Sequence, residues 1–293
     1  MRYVLSFFIR RKIKWIFILL FFMLIISCRH SNNVLEPLDV VILTGQSNMS
    51  GLADIAESQM YLSKDDFMKA RTGIDGIYIF SCNDLSAINS GYDFVPFSEV
   101  TFGSGHKKHL FGPEIGFALE CRKNKRSLVL IKYSAGGEPI NFFLEGNDIS
   151  QKIKTFFSCC LLELKNRGYD PNVRAVCWMH GETDCNELDD AQNYYKREKL
   201  FIELLRKTYS ENLLFIDSMV TDMELWSAIV GVKLYPNLVN EAKEKIAQED
   251  NKCFLIDSSG LTKGDGLHYN TPSTIELGRR FAREFLSHSE AGK

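Results

Sequence analysis

The sequence is short of the residues that mark non-globular chains. Seven Pro and 20 Gly in 293 residues exclude a low-complexity or collagen-like tract. It also lacks a surplus of positive charge. Lys and Arg number 35 against 37 Asp and Glu, a formal net charge of −2, which argues against a general nucleic-acid binder, since phosphate contacts need a basic surface. None of the eight cysteines stands in CxxC spacing, so neither a redox motif nor a zinc ribbon is indicated. No internal repeat occurs, and no linker-like stretch divides residues 39 to 287. What is present, 45% hydrophobic, 12% aromatic and 25% charged residues, is the composition of a folded globular protein with enough chain to bury a large core.

Acidic residues are missing altogether from the first 27 positions, which hold Arg2, Arg10, Arg11, Lys12 and Lys14. An unbroken apolar run of 12 residues, Trp15 to Ile26, follows and ends in Ser27-Cys28. A basic region followed by a short apolar core is the pattern of a secretory signal peptide, and 12 residues fall short of the roughly 20 that cross a bilayer as a helix. The ending Ile25-Ile26-Ser27-Cys28 resembles a bacterial lipobox, which implies cleavage before Cys28 and acylation of that cysteine. The expectation is an exported protein held by lipid on a bacterial membrane, with residues 1–27 as signal peptide, 28–38 as lipidated cysteine and tether, and 39–293 as the functional domain. An uncleaved signal anchor with an incidental cysteine is the competing reading. Removing residues 1–27 leaves 30 basic against 37 acidic side chains, a formal charge of −7. An acidic domain strengthens the case against nucleic acid and makes the lipid, not a basic patch, the expected membrane attachment. Seven cysteines remain besides Cys28; buried free thiols are expected, with room for one or two bridges.

Short, continuously apolar runs occur at Val40–Thr44, Ile77–Phe80, Leu128–Tyr133, Val173–Met179, Leu213–Ser218 and Cys253–Ile256. They read as strands covered on both faces. Helical patterns lie between them at Glu114–Arg122, Ile149–Asn166, Ala191–Tyr209, Leu234–Gln248 and Thr271–Ser287, the last opening with Thr271-Pro272 as N-cap and N1. Alternating strand and helix predicts one α/β domain, a mostly parallel sheet of about five strands with helices on both faces. The Gly-, Ser-, Asn- and Asp-rich segment Ser81–Leu110, with Tyr92, Phe94, Phe97 and Phe102 interleaved, reads as a long irregular loop. It either walls a substrate cleft, with Ser104-Gly105-His106 at its tip, or is a surface excursion packed by its own aromatics.

Three segments carry chemistry. The strand Asp39–Thr44 runs into Gly45-Gln46-Ser47-Asn48-Met49. At the carboxyl end of a first strand, a serine presents its hydroxyl to the crevice and the backbone N–H groups after it suit an oxyanion. Near the other end, Asp265 and His268 stand three apart, close enough for the carboxylate to orient the imidazole that takes a serine proton. Between them lies Cys177-Trp178-Met179-His180-Gly181-Glu182-Thr183-Asp184-Cys185, again at a strand end. Its clustered Cys, His, Glu and Asp raise a metal site, but Cys177 and His180 are an odd number apart and fall on opposite strand faces, so Cys177 is read as structural and no metal is expected.

In this order the blocks Gly-Gln-Ser47-Asn-Met, Gly136-Gly137, His180-Gly-Glu182-x-Asp184 and Asp265-x-x-His268 resemble the SGNH (GDSL-like) hydrolases, in particular the sialate O-acetylesterase and family-6 carbohydrate acetylesterase group. The resemblance spans residues 40 to 287. It implies a three-layer, flavodoxin-like α/β/α sandwich and removal of O-acetyl groups from carbohydrate, with no cofactor and no metal. It implies Ser47 as nucleophile, His268 as general base and acid, and Asp265 orienting it. The implied oxyanion donors are the Ser47 N–H, the Gly137 N–H and the side chain of His180. The commoner pattern has glutamine at that last position, so histidine there would add a pH dependence. In some relatives the glutamate equivalent to Glu182 is the proposed triad acid; Gln46 and Asn48 are read as shaping the turn and lining the site. Two other functions stay open: the same fold acting on lipid or cell-wall esters, and a glycan-binding module without catalysis.

Overall fold

The computed structural model describes residues 35–82, 94–144, 146, 148–221 and 223–289. The expected signal peptide, Cys28 and most of the tether lie outside the described residues, as does segment 83–93. The compact unit begins at Pro37. Its strands β1 (Glu36–Gly45), β3 (Ile74–Cys82), β4 (Phe94–Val100), β6 (Leu128–Ser134), β7 (Tyr169–Met179), β8 (Leu214–Ser218) and β9 (Cys253–Ile256) form one sheet in the order β4-β3-β6-β1-β7-β8-β9. Pairing is parallel for β1 with β6, β3 with β6, β7 with β8 and β8 with β9, while β4 runs antiparallel at the edge.

The alternation of side chains along each strand divides the core in two. Val40 and Ile42 of β1, Val129 and Ile131 of β6, and Val176 and Trp178 of β7 face one side. Val41 and Leu43, Leu128 and Leu130, and Ala175 and Cys177 face the other. Over the first face pack helices α5 (Asp148–Asn166), α6 (Leu188–Thr208) and α8 (Pro236–Glu249), through Phe156, Phe201 and Val239 among others. Over the second pack α4 (Glu114–Lys123) and α9 (Thr271–Ser289), through Phe117 and Phe281. These last two helices touch backbone to backbone. A Cβ on Gly116 would sit 1.9 Å from the Ile275 carbonyl oxygen, and one on Gly278 would sit 2.0 Å from that of Pro113. The result is the expected three-layer α/β/α architecture.

Among the described residues the sheet has seven strands where about five were expected. The edge strand β4 lies inside the segment read as an irregular loop; it carries Pro96, which an edge strand tolerates because one side of it needs no ladder donor. A two-stranded antiparallel pair, β2 (Ala53–Asp54) with β5 (Leu110–Phe111), was also not anticipated, nor were short helices α1 (Ser47–Ser50), α2 (Ile55–Ser58), α3 (Lys64–Thr72) and α7 (Glu224–Val230). All seven described cysteines are free thiols. Burial lifts the pKa of the Cys177 thiol far above the ordinary range, as befits an inert core side chain.

Candidate active site

Strand β1 ends at Gly45, which passes so close to β7 that a Cβ there would lie 2.0 Å from the Met179 carbonyl oxygen. The same carbonyl accepts the Gln46 N–H at 2.9 Å. The chain then turns into α1, with Ser47 as its first residue and Gly51 ending it at φ +91°. The N–H of a first helical residue has no intrahelical acceptor. The turn is bound to the rest of the protein by long-range hydrogen bonds. Gln46 accepts the Gly181 N–H at 3.0 Å through Oε1 and donates through Nε2 to the Glu138 carbonyl at 2.8 Å and to the Thr183 hydroxyl. Asn48 donates to Glu182 Oε1 at 2.6 Å and to the Leu267 carbonyl at 3.2 Å, and accepts the Tyr269 N–H at 3.0 Å.

Beneath the turn lies a buried ion pair. Lys132 of β6 and Glu114 of α4, both fully enclosed, meet at 2.6 Å. The other two ammonium hydrogens go to the carbonyls of Ser50 and Ser104, each at 2.8 Å, and Glu114 Oε1 accepts the Gly112 N–H. Burial lowers the Lys132 pKa against the opposing pull of the Glu114 charge. This pair was not among the expected site residues, although a single lysine within the apolar run Leu128–Tyr133 signals a partner, because an unpaired charge is not tolerated inside a sheet.

The loop between β9 and α9 brings Asp265 and His268 to Ser47. His268 Nε2 lies 3.0 Å from Ser47 Oγ, and His268 Nδ1 lies 2.7 Å from Asp265 Oδ2. Asp265 Oδ1 accepts the backbone N–H groups of Leu267 and His268 at 2.9 and 2.7 Å. Partial burial works to raise the Asp265 pKa, but the His268 N–H, the imidazole and the Leu267 N–H outweigh it and hold the carboxyl at about 2. It is therefore a carboxylate at any physiological pH. Asp265, and not Glu182, is the carboxylate on the imidazole; Glu182 is buried and spends one oxygen on Asn48.

Gly136 and Gly137 lie on an exposed turn after β6. A Cβ on Gly136 would come within 3.4 Å of Ser47 Cβ, and Gly137 has φ +76°, a conformation that favours glycine. The turn is thus pressed against the serine. His180 departs from its expected place. It is fully buried, stacked on Trp178 at 4.4 Å between ring centres and edge-on to Phe143 at 5.4 Å. Its ring nitrogens are taken by Tyr194 Oη at 3.2 Å and the Glu138 carbonyl at 3.1 Å, so no N–H is left for an oxyanion. The expected pH dependence fails with it, because burial, with Lys243 second, pushes the His180 pKa well below the ordinary value and keeps the ring neutral. Asp184, also fully enclosed, accepts the Ile140 N–H at 3.1 Å through Oδ2; burial raises its pKa to about 7 despite that bond.

Together the arrangement sets a hydroxyl, an imidazole and a carboxylate in line beside a glycine turn that is open to solvent. Such a line can move a proton from hydroxyl to imidazole while the carboxylate stabilises the imidazolium, which is the chemistry of ester cleavage. Among the described residues no group of three or more His, Cys, Asp or Glu side chains could hold a metal ion.

Residues 37–287 match the family described as carbohydrate esterase, sialic acid-specific acetylesterase. A probable carbohydrate esterase of Arabidopsis thaliana is 25% identical over 264 residues, which is 86% of this chain and 92% of the plant protein. The X-ray structure of the Arabidopsis protein has a TM-score of 0.64 at 21% identity, over 86% of this chain and 99% of that one. NanS gives 0.61 at 12% identity, over 87% and 98% of the two chains. A carbohydrate acetylesterase from Xanthomonas citri gives 0.59 at 17%, over 87% of this chain and 57% of that one. These likenesses in structure bear on the fold.

Proposed function

The chain belongs to the carbohydrate esterase, sialic acid-specific acetylesterase family, and from that premise we propose that it removes O-acetyl groups from carbohydrate, sialate or another glycan, through an acyl-enzyme on Ser47. The observation that carries the mechanism is the unbroken relay Asp265–His268–Ser47, at 2.7 and 3.0 Å. In this reading Ser47 Oγ attacks the acetyl carbonyl while His268 Nε2 takes its proton, and Asp265 stabilises the imidazolium through Nδ1. The tetrahedral oxyanion is met by the N–H groups of Ser47 and Gly137. As the intermediate collapses, His268 returns the proton to the departing sugar oxygen. Water activated by the same imidazole then releases acetate and frees Ser47.

The purified domain is expected to hydrolyse an activated acetyl ester and to release acetate from a panel of acetylated glycans, the panel identifying the sugar. Ser47→Ala is expected to lower kcat by about 10⁴-fold or more, by analogy with other serine nucleophiles, and full turnover in that variant would refute the mechanism. One feature favours the reading of lipid or cell-wall esters instead. Leu225, Ile229 and Val230 of α7 are exposed at 60%, 58% and 40%, and the Leu225 side chain packs against Gly266 beside the Asp265 loop. Rates on esters of increasing acyl length separate the two, since a sugar deacetylase favours acetyl. The basic, then apolar leader ending at Cys28 further supports export and lipid attachment, tested by acyl labelling in the parent chain and its loss in Cys28→Ala.

A further inference from the structure

We propose that His180 is a positioning residue for this esterase chemistry: as the Nε2–H tautomer it holds the Glu138 carbonyl, and so fixes the turn that aims the Gly137 N–H at the reacting carbonyl. The inference rests on the function proposed above, and it gives His180 a role different from direct oxyanion contact.

The tautomer follows from the partners. A backbone carbonyl only accepts, so the His180 Nε2 that lies 3.1 Å from the Glu138 oxygen carries the hydrogen. At the other end of the chain of bonds, the indole N–H of Trp178 only donates, and its partner at 3.3 Å is Tyr194 Oη. The tyrosine hydrogen is then free to point at His180 Nδ1, 3.2 Å away. These contacts run from Trp178 to Tyr194 to His180 to Glu138, while the buried Glu198 carboxyl also draws on the Tyr194 and Trp178 hydrogens.

The carbonyl so held belongs to a turn that needs holding. Ala135 N–H is bound to the Gly45 carbonyl at 2.9 Å, the Glu138 carbonyl receives both Gln46 and His180, and Ile140 N–H is bound to Asp184. Between the first and second of these pins stand only Gly136 and Gly137, the residues with the widest backbone freedom. Removing the His180 donor leaves Gln46 alone on the central pin. Charged and titratable groups surround the imidazole. Asp184 Oδ2 lies 3.7 Å from Nδ1, too far for a hydrogen bond. Lys243, paired to Asp217 at 2.7 Å, opposes protonation, and Tyr194 and the buried Glu198 lie on α6. Burial and Lys243 both favour the neutral ring on which the directional chain depends.

The test has two independent readouts on the full domain. In ¹⁵N-histidine spectra from pH 5 to 9, one buried histidine is expected to keep the Nε2–H pattern throughout. A protonated or Nδ1–H pattern for His180 at neutral pH overturns the proposal. In kinetics, His180→Leu is expected to lower kcat by about 10- to 100-fold, the effect of misaligning an oxyanion donor, with KM nearly unchanged. His180→Gln, which keeps a donor for the Glu138 carbonyl, is expected to recover most of the loss. Full kcat in His180→Leu overturns the proposal, as does a Gln variant no better than Leu. If the leucine variant does not fold, His180→Phe takes its place: it keeps a flat ring against Trp178 and Phe143 but has no donor for the Glu138 carbonyl, and is expected to lower kcat to a similar extent, and full kcat in that variant overturns the idea. Ser47→Ala separates the failures. Turnover in that variant sinks the proposed mechanism alone, whereas an inactive Ser47→Ala beside a fully active His180→Leu sinks the positioning role alone.

Discussion

The two halves of the triad are built on opposite plans. The turn carrying Ser47 is buried and bound from afar: Gln46 and Asn48 are 1% and 4% exposed, and their partners lie in the turn that follows β7, on the Glu138 turn and in the loop before α9. The loop carrying Asp265 and His268 is partly open, with side chains 54% and 22% exposed. Its key contacts fall within four residues, since Asp265 receives the Leu267 N–H, the His268 N–H and the imidazole. The nucleophile is thus placed by the whole fold, and the acid–base pair by its own loop. Damage to either should cost rate, and damage to the first should cost much more stability than damage to the second.

The sharpest way to break that contrast is at the buried pair under Ser47. Lys132→Met leaves the Glu114 carboxylate enclosed without its partner and is expected to cost about 3–5 kcal/mol of stability. Adding Glu114→Leu should return much of it without restoring kcat, because the Ser50 and Ser104 carbonyls still lack their donor. Chemical denaturation and steady-state rates on both variants check this, and an unchanged midpoint in Lys132→Met would erase the distinction. Asn48→Ala acts where the two halves meet. Losing its bonds to Glu182, Leu267 and Tyr269 strands a buried N–H and a buried carboxylate oxygen, and is expected to cost about 1–3 kcal/mol with a fall in kcat. If only the rate falls, the link serves the loop and not the fold.

The last effect is one of pH. Asp184 is held at about 7, above its value in the unfolded chain, so the folded state keeps its proton longer. Its contribution therefore favours folding below about pH 4 and is lost progressively as pH rises to 7, with a slope of at most about 1.4 kcal/mol per pH unit. Asp184→Asn should flatten stability over that interval. Asp265, held at about 2, works in the other sense: its contribution is present above about pH 4 and lost as pH falls toward 2. Unfolding midpoints of both asparagine variants from pH 3 to 8 test the two signs.

The same contrast explains what could be read from the sequence. The layered α/β architecture was legible because fully covered strands are continuously apolar, and β1, β6 and β7 are such runs. Asp265 and His268 were legible because the contact joining them is local, and Ser47 because it follows the first buried strand. Strand β4 was missed because Pro96 interrupts its apolar residues and the stretch before it, rich in Asn, Asp, Ser and Gly, reads as loop, which an edge position permits. His180 was misread because what decides its role, Glu138 and Tyr194, lies 42 and 14 residues away, and no local spacing reports that.

One consequence concerns strand β1. It enters the sheet at Glu36 and delivers the chain to Ser47 only after ten residues, a run of about 30 Å at strand rise. The entry point and the reaction centre are therefore at opposite poles of the domain. Lipid on Cys28, as proposed, would act as a leash of eight residues, Cys28 to Leu35, reaching at most about 28 Å when fully stretched. That reach is about the length of β1 itself, so a lipid on Cys28 would tie the domain down by the end opposite Ser47.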